Sequence, residues 1–219
     1  MNGVDPQELL QLIATRRSIR KWTDQEVPDE LIHQALTAAT WAPNGGNFQP
    51  WHFVVVKNRE LIQKMADAVQ EKTLLMASWP EAEPFREHVE RWKTSSDFFR
   101  TAPACIAVYM GDYRSIADRL LAARGREDAD AAAMQDARHL GSSRLQTIAG
   151  AIMQMLLMFH AQGLGAVWMA GPQQAKQEIE AILPPVEGMD FVALVPVGYP
   201  AQERTLTRKP VEEVSTWLK

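Results

Sequence analysis

The sequence predicts one domain that combines helices with a sheet covered on both faces. Three observations point there. A chain of 219 residues with 46% hydrophobic content is long enough for one sizeable core and does not require two. The runs "WHFVVVK", "ACIAVYM", "AVWMA" and "FVALVPV" read as strands apolar on both faces, so helices or a partner must cover each side. No internal repeat, low-complexity block or Gly/Ser linker marks a boundary, so residues 1–219 are expected to form a single unit.

The first helix starts at Asp5-Pro6-Gln7-Glu8, where a side-chain acceptor sits at the cap, proline follows in the first turn and glutamate stands three residues after the cap. It should end near "RRSIRK", which puts four cations in six residues. A second helix begins around Pro28, with Asp29 and Glu30 in its first turn, and buries Leu31, Ile32, Ala35, Leu36 and Ala39. "APNGGN" stops it ahead of the first strand. A third helix is expected over "ELIQKMADAVQEK". Two excursions follow, about 73–100, aromatic and broken by Pro80 and Pro84, and about 111–139, charged and alanine-rich. Each suits a lid or substrate wall, or simply a solvated helical hairpin. The helix "SSRLQTIAGAIMQMLLMFHAQG" can be capped by Ser142 or Ser143 and ended by Gly163, and from Ile148 to Phe159 it is apolar nearly all round. Such a helix is either a central core helix or one shared with a second subunit; Gly150 and Ala151 would permit close approach of another backbone, and the shared reading is preferred.

Several chemistries are excluded. A net charge of −4 and a pI near 5.8 give no general attraction for nucleic acid or an anionic membrane. A lone Cys105, inside an apolar strand, permits no intrachain disulfide or CxxC pair and reads as packing rather than a nucleophile. The start "MNGVDPQELLQL" lacks the features of a signal peptide and no apolar run is long enough to span a bilayer, so a cytoplasmic location is expected. "GLGAVW" carries Trp168 where the dinucleotide fingerprint needs its third glycine, and it follows a helix instead of a strand. No P-loop or GxSxG elbow is present, and the five histidines lack ligand spacing, so no metal is expected.

What remains suits a phosphorylated, planar ligand. Arg16, Arg17 and Arg20 offer forked donors beside the small hydroxyl of Ser18, and Arg208 with Lys209 in "TLTRKP" could converge on the same phosphate. Asn44, Gly45, Gly46, Asn47 and Gln49 supply amides and exposed backbone N–H groups. Each alone reads as a helix end complementing its dipole or as a polar turn, and only their combination asks for more.

Taken in order, "ATRRSIRKW", "VPDELIHQALTAATWAPNGGNFQPWHFVVV", "AIMQMLLMFHAQGLGAVWMAG" and "VPVGYPAQERTLTRKPVEEV" resemble the FMN-dependent nitroreductase superfamily. The resemblance implies an α+β fold with a mixed central sheet flanked by helices, in an intertwined homodimer whose long buried helix lies at the interface and which holds two FMN molecules there. It assigns Arg16, Arg17, Ser18 and Arg20 to the FMN phosphate, ribityl chain and pyrimidine edge. Pro43, Asn44, Gly45 and Asn47, with Gln49 close behind, match the loop reaching the flavin from the other subunit. Met169, Ala170 and Gly171 match the segment beside the ring, where a backbone N–H points at flavin N5, and Arg208 and Lys209 match C-terminal phosphate ligands. Met153-Gln154 stands where relatives often show Gln-Asn, and Arg17 where some have histidine.

The resemblance further implies an oxidoreductase that takes hydride from NADH or NADPH onto FMN and passes it to a small acceptor such as a nitroaromatic or quinone, without a protein nucleophile or a nameable catalytic acid or base. Arg20 is the candidate cation at the N1/O2 edge. Alternatives are a reductive dehalogenase with "REHVERWK" as lid, a flavin-fragmenting enzyme, and a non-catalytic flavin-binding dimer. Neither nucleic acid nor a membrane is expected as partner.

Overall fold

The structure, a computed structural model, describes residues 3–218. Helix α1, Pro6–Thr15, begins as its sequence requires, with the Asp5 carboxylate accepting from the Gln7 N–H at 2.9 Å. Helix α2, Asp29–Thr40, follows Pro28 and buries Ile32, Ala35 and Ala39. Strand β1, Trp51–Val56, leads into α3, Arg59–Ala77, capped by the Asn58 side chain. This helix runs five residues beyond the expected end at Lys72. The segment "TLLMA" contains no breaker, and the Thr73 hydroxyl is buried and donates to the Val69 carbonyl at 2.9 Å. Proline acts only at Pro80, which opens the 3-10 turn Pro80–Phe85 ahead of α4, Arg86–Lys93.

Strand β2, Ala104–Gly111, is buried along its whole length. After it the 111–139 excursion folds as a helical hairpin, α5, Ile116–Arg124, against α6, Ala129–Gly141. Helix α7, Ser143–Ala161, starts at Ser142, which holds a left-handed φ of 31° and also ends α6. Gly163, at φ 77°, terminates it as expected. Strand β3, Gly165–Ala166, is shorter than the expected "AVWMA" run. Opposite Val167 lies Pro196, which has no N–H for the ladder, so only the Val167 N–H to Pro196 carbonyl bond forms, at 3.3 Å. Helix α8, Lys176–Ile182, and strand β4, Met189–Gly198, complete the core.

The strands run in the order β1-β2-β4-β3, each pair antiparallel. The parallel component of the expected mixed sheet is confined, among the described residues, to the bridge between Ser18 and Ala166. Side-chain alternation along β2 sorts the core. Ala104, Ile106, Val108 and Met110 pack with residues of α2 and α7, while Cys105, Ala107 and Tyr109 pack with residues of α3 and α8. Helices therefore cover both sheet faces, as the apolar strands demanded. Burial pushes the Cys105 thiol well above its ordinary value, in keeping with a packing role.

Helix α7 is not enclosed all round within one chain. Thr147, Ile148, Ala151, Ile152, Met155, Leu156 and Phe159 are buried, whereas Leu145 and Met153 remain exposed. The neighbour of Gly150 is Ala42-Pro43 of the same chain, 3.7–3.9 Å from where a methyl on Gly150 would sit, and Ala151 faces the core. Gly150 is thus in ordinary van der Waals contact with side chains of its own chain, and Ala151 is buried.

Candidate functional site

The "RRSIRKW" segment is strapped to the sheet edge. The Ile19 N–H donates to the Ala166 carbonyl at 3.2 Å, the Thr23 N–H to the Tyr199 carbonyl at 2.9 Å, and the Trp22 indole N–H to the Gly165 carbonyl at 2.7 Å. Gly165 makes this possible, because a methyl there would lie 2.7 Å from Ile19 Cγ1. Ile19 and Trp22 point inward and are buried; Arg16, Arg17 and Ser18 are half-buried, and Arg20 is exposed.

Around that strap the tail brings further cations. Burial pushes the Arg16 guanidinium below its ordinary value, and neighbouring Arg208 and Arg17 push it further. Arg20 is lowered by burial and by Arg204. The same burial, with Arg16 and Arg17 beside it, lowers His160, whose Nε2 lies 2.9 Å from the Thr15 hydroxyl. None of Arg16, Arg17, Arg20, Arg204 and Arg208 has a carboxylate ion pair among the described residues. Positive charge is gathered here against its own repulsion, the condition that an anion relieves.

Individual roles differ. Arg17 Nη1 donates to the Ala14 and Arg16 carbonyls at 2.6 and 2.8 Å, closing the C-terminal end of α1, while its Nε is buried without an acceptor among the described residues. Arg20 lies over the Phe98 ring, 5.7 Å from its centroid. Arg208 donates to the Thr207 carbonyl at 3.0 Å, and Lys209 is exposed with no bond tying it to the cluster. Sequence reasoning misses two members of the group, His160 and Arg204, whose Nη1 is 3.5 Å from the Ser18 carbonyl. Arg204 stands in the same basic tail as Arg208; nothing local marks His160, whose relevance comes from packing against α1.

The Asn/Gly loop is built separately. Asn44 Oδ1 accepts from the Gln49 N–H at 2.9 Å, and Gly46, Asn47 and Gln49 have φ of 60°, 53° and 54°. Left-handed backbone at two non-glycine residues is a strained conformation held by that clasp. Pro43, Gly45, Asn47 and Gln49 are exposed. The loop adjoins Gly150 in the middle of α7, whereas Thr15 and Arg16 meet His160 near its C-terminal end. At 1.5 Å rise per residue those positions are about 15 Å apart along the axis. One chain does not bring the loop onto its own arginine cluster.

The third group, Met169 to Gly171, crosses beside β4. Met169 exchanges both backbone bonds with Leu194, at 2.9 and 3.0 Å, so its N–H is engaged. The Ala170 and Gly171 N–H groups have no protein acceptor among the described residues, and nothing lies within 4 Å of a methyl position on Gly171. These two, and not Met169, are the free donors of the segment. Among the described residues no cluster of three metal-ligating side chains forms, and no helix is long and apolar enough to cross a membrane.

Comparison with known proteins gives a family, two relatives and solved structures of the same fold. The sequence pattern of the Nitroreductase family matches residues 13–199. The chain is 29% identical over 209 residues to an NADH dehydrogenase of Thermus thermophilus, covering 92% of each, and 26% identical over 216 residues to an iodotyrosine deiodinase of Nematostella vectensis, covering 94% of this chain and 74% of that one. Its fold superposes with a TM-score of 0.84 on a BluB-like flavoprotein from Clostridium difficile, 28% identical, with 99% of this chain and 100% of the other covered. FMN is bound in other solved proteins of this fold.

Proposed function

Because the chain belongs to the nitroreductase family, we propose that it is an FMN-dependent oxidoreductase acting on small acceptors such as nitroaromatics or quinones, with NADH or NADPH as reductant. The observation that carries this reading is the uncompensated cation cluster of Arg16, Arg17 and Arg208, in which burial and then the neighbouring Arg208 and Arg17 lower Arg16. Its donor set fits a flavin phosphate: forked guanidinium groups from two distant segments, a buried Arg17 Nε lacking an acceptor, and the Ser18 hydroxyl alongside. When bound, the flavin supplies hydride transfer in both half-reactions.

The protein's own part is to bind, orient and polarise. Arg16 and Arg208 hold the phosphate, with Lys209 contributing charge from the tail. Ser18 meets the ribityl chain, and Arg20, steadied on Phe98, places positive charge at the pyrimidine edge. The Ala170 or Gly171 N–H would be available as a donor to the reactive nitrogen, since the Met169 N–H is already bonded to Leu194. Pro43, Asn44, Gly45, Asn47 and Gln49 complete the site from a second subunit, which accounts for their distance from the cluster of their own chain.

A homodimer is therefore part of the proposal. The apolar residues Leu9, Leu10 and Ile13 of α1, Leu145 and Met153 of α7, and Leu206, Val211, Val214, Trp217 and Leu218 of the tail are all exposed in the single chain, Leu218 at 95%. Apolar surface on this scale marks an interface. Sedimentation equilibrium is expected to give twice the mass of one chain; a monomer at micromolar concentration would remove the shared-site arrangement.

Anaerobic addition of NADH, then NADPH, to the FMN-loaded protein is expected to bleach the flavin absorbance. An oxidised flavin with both would sink the nicotinamide-linked reading. It would also bring forward dehalogenation, which the deiodinase relative and the exposed charged helix α4 favour; in that case 3-iodotyrosine should protect α4 from proteolysis.

A further inference from the structure

A cavity of about 460 Å³ lies between the β2–α5 connection and the start of α7, away from the arginine cluster. Three guanidinium groups line it, Arg114, Arg138 and Arg144, against two carboxylates, Asp112 and Asp118. Asp118 is fully engaged: it accepts from Arg138 Nε at 2.6 Å and from the Ser115 N–H and hydroxyl at 2.8 and 2.7 Å. Asp112 is divided between Arg144 Nη1 at 3.2 Å and Arg114 Nε at 3.1 Å. Each of these two arginines thus keeps part of its donor fork free, and one positive charge is in excess. The Ser143 and Arg144 backbone N–H groups, also at the rim, have no acceptor among the described residues.

The cavity also adjoins the Asn/Gly loop. Tyr113 lines it and lays its ring 5.2 Å from Phe48 of that loop, covering Gly45 so closely that a methyl there would sit 2.8 Å from Tyr113 Cε1. The lining thus combines an aromatic ring with forked cations.

We propose that this cavity binds the electron acceptor through an anionic substituent, so that the preferred acceptors are aromatic carboxylates. Arg114 and Arg144 grip the carboxylate, and Tyr113 stacks on the ring. The assignment of the occupant as the acceptor rests on the reductase reading above; the anion site itself does not.

The test uses the FMN-loaded protein with benzoate and its neutral analogue benzamide in calorimetric titrations. Benzoate is expected to bind about tenfold or more tightly than benzamide, and Arg144→Gln is expected to abolish the difference. Arg114→Gln, at a side chain 62% exposed and so removable without loss of packing, should do the same. Equal binding of the two probes, or a benzoate preference intact in both variants, overturns the site. A second arm compares 4-nitrobenzoate with 4-nitrobenzamide as acceptors. A lower KM for the acid, with benzoate competing, is the expected result. If both are reduced with the same KM, the site falls and the reductase reading stands. Should neither be reduced while benzoate still binds through Arg144, the reductase reading falls and takes the acceptor assignment with it.

Discussion

Arg16→Ala and Arg208→Ala are each expected to weaken FMN binding by about tenfold to a hundredfold, the loss typical of one charge-assisted, forked contact. Melting without FMN should move the other way or not at all. In the free protein Arg208 and Arg17 disfavour the charged form of Arg16, so deleting Arg208 relieves repulsion and breaks no ion pair among the described residues. The stabilisation that FMN gives the wild type by binding the folded state only should shrink in both variants. Quenching of flavin fluorescence gives the affinities, and melts with and without FMN give the sign. Retention equal to wild type in both variants would refute the phosphate placement. Reduced Tm in both apo-proteins would show instead that the arginines hold the chain together.

Gly165→Ala, in β3 beneath the strap, should be strongly damaging. The added methyl meets Ile19 at 2.7–2.8 Å on three of its carbons, and Ile19 is 8% exposed with no room to withdraw. Overpacking of this kind costs about 1–3 kcal/mol. Ile19 sits between Ser18 and Arg20, so its displacement should also loosen FMN. Combining Gly165→Ala with Ile19→Ala removes the contacts with Cγ1 and Cγ2 and leaves only the one with Cβ at 2.8 Å, so the pair should lose less stability than the sum of the two single changes. Strict additivity in denaturant melts would mean that Gly165 matters for some other reason.

Local features are legible in the residue order alone. Helix starts at Asp5 and Ser142, the stop at Gly163, three of the four strand runs, the inert Cys105 and the clustering of Arg16, Arg17 and Arg20 all follow from interactions within a few residues. The ordered motifs also sufficed to name the family, since the matched stretch begins in α1 and ends at Tyr199. Where local rules compete, sequence reasoning fails in identifiable ways. Helix α3 outruns its expected end because no breaker precedes Pro80, and the "AVWMA" strand is shortened because its partner strand carries Pro196.

Which polar groups meet is settled by the three-dimensional fold. Arg208 lies beside Arg16 only because β4 returns the chain to the strap and the tail leaves from that edge. His160 joins through packing of α7 on α1, and Arg17 is drawn partly to the helix carbonyls that its position makes available. The same packing fixes the Asn/Gly loop against Gly150, away from the cations of its own chain. Hydrophobic periodicity records which face of an element is buried, a local property. The meeting of charges depends on where distant elements are brought by burying those faces, and one-dimensional spacing carries no record of that.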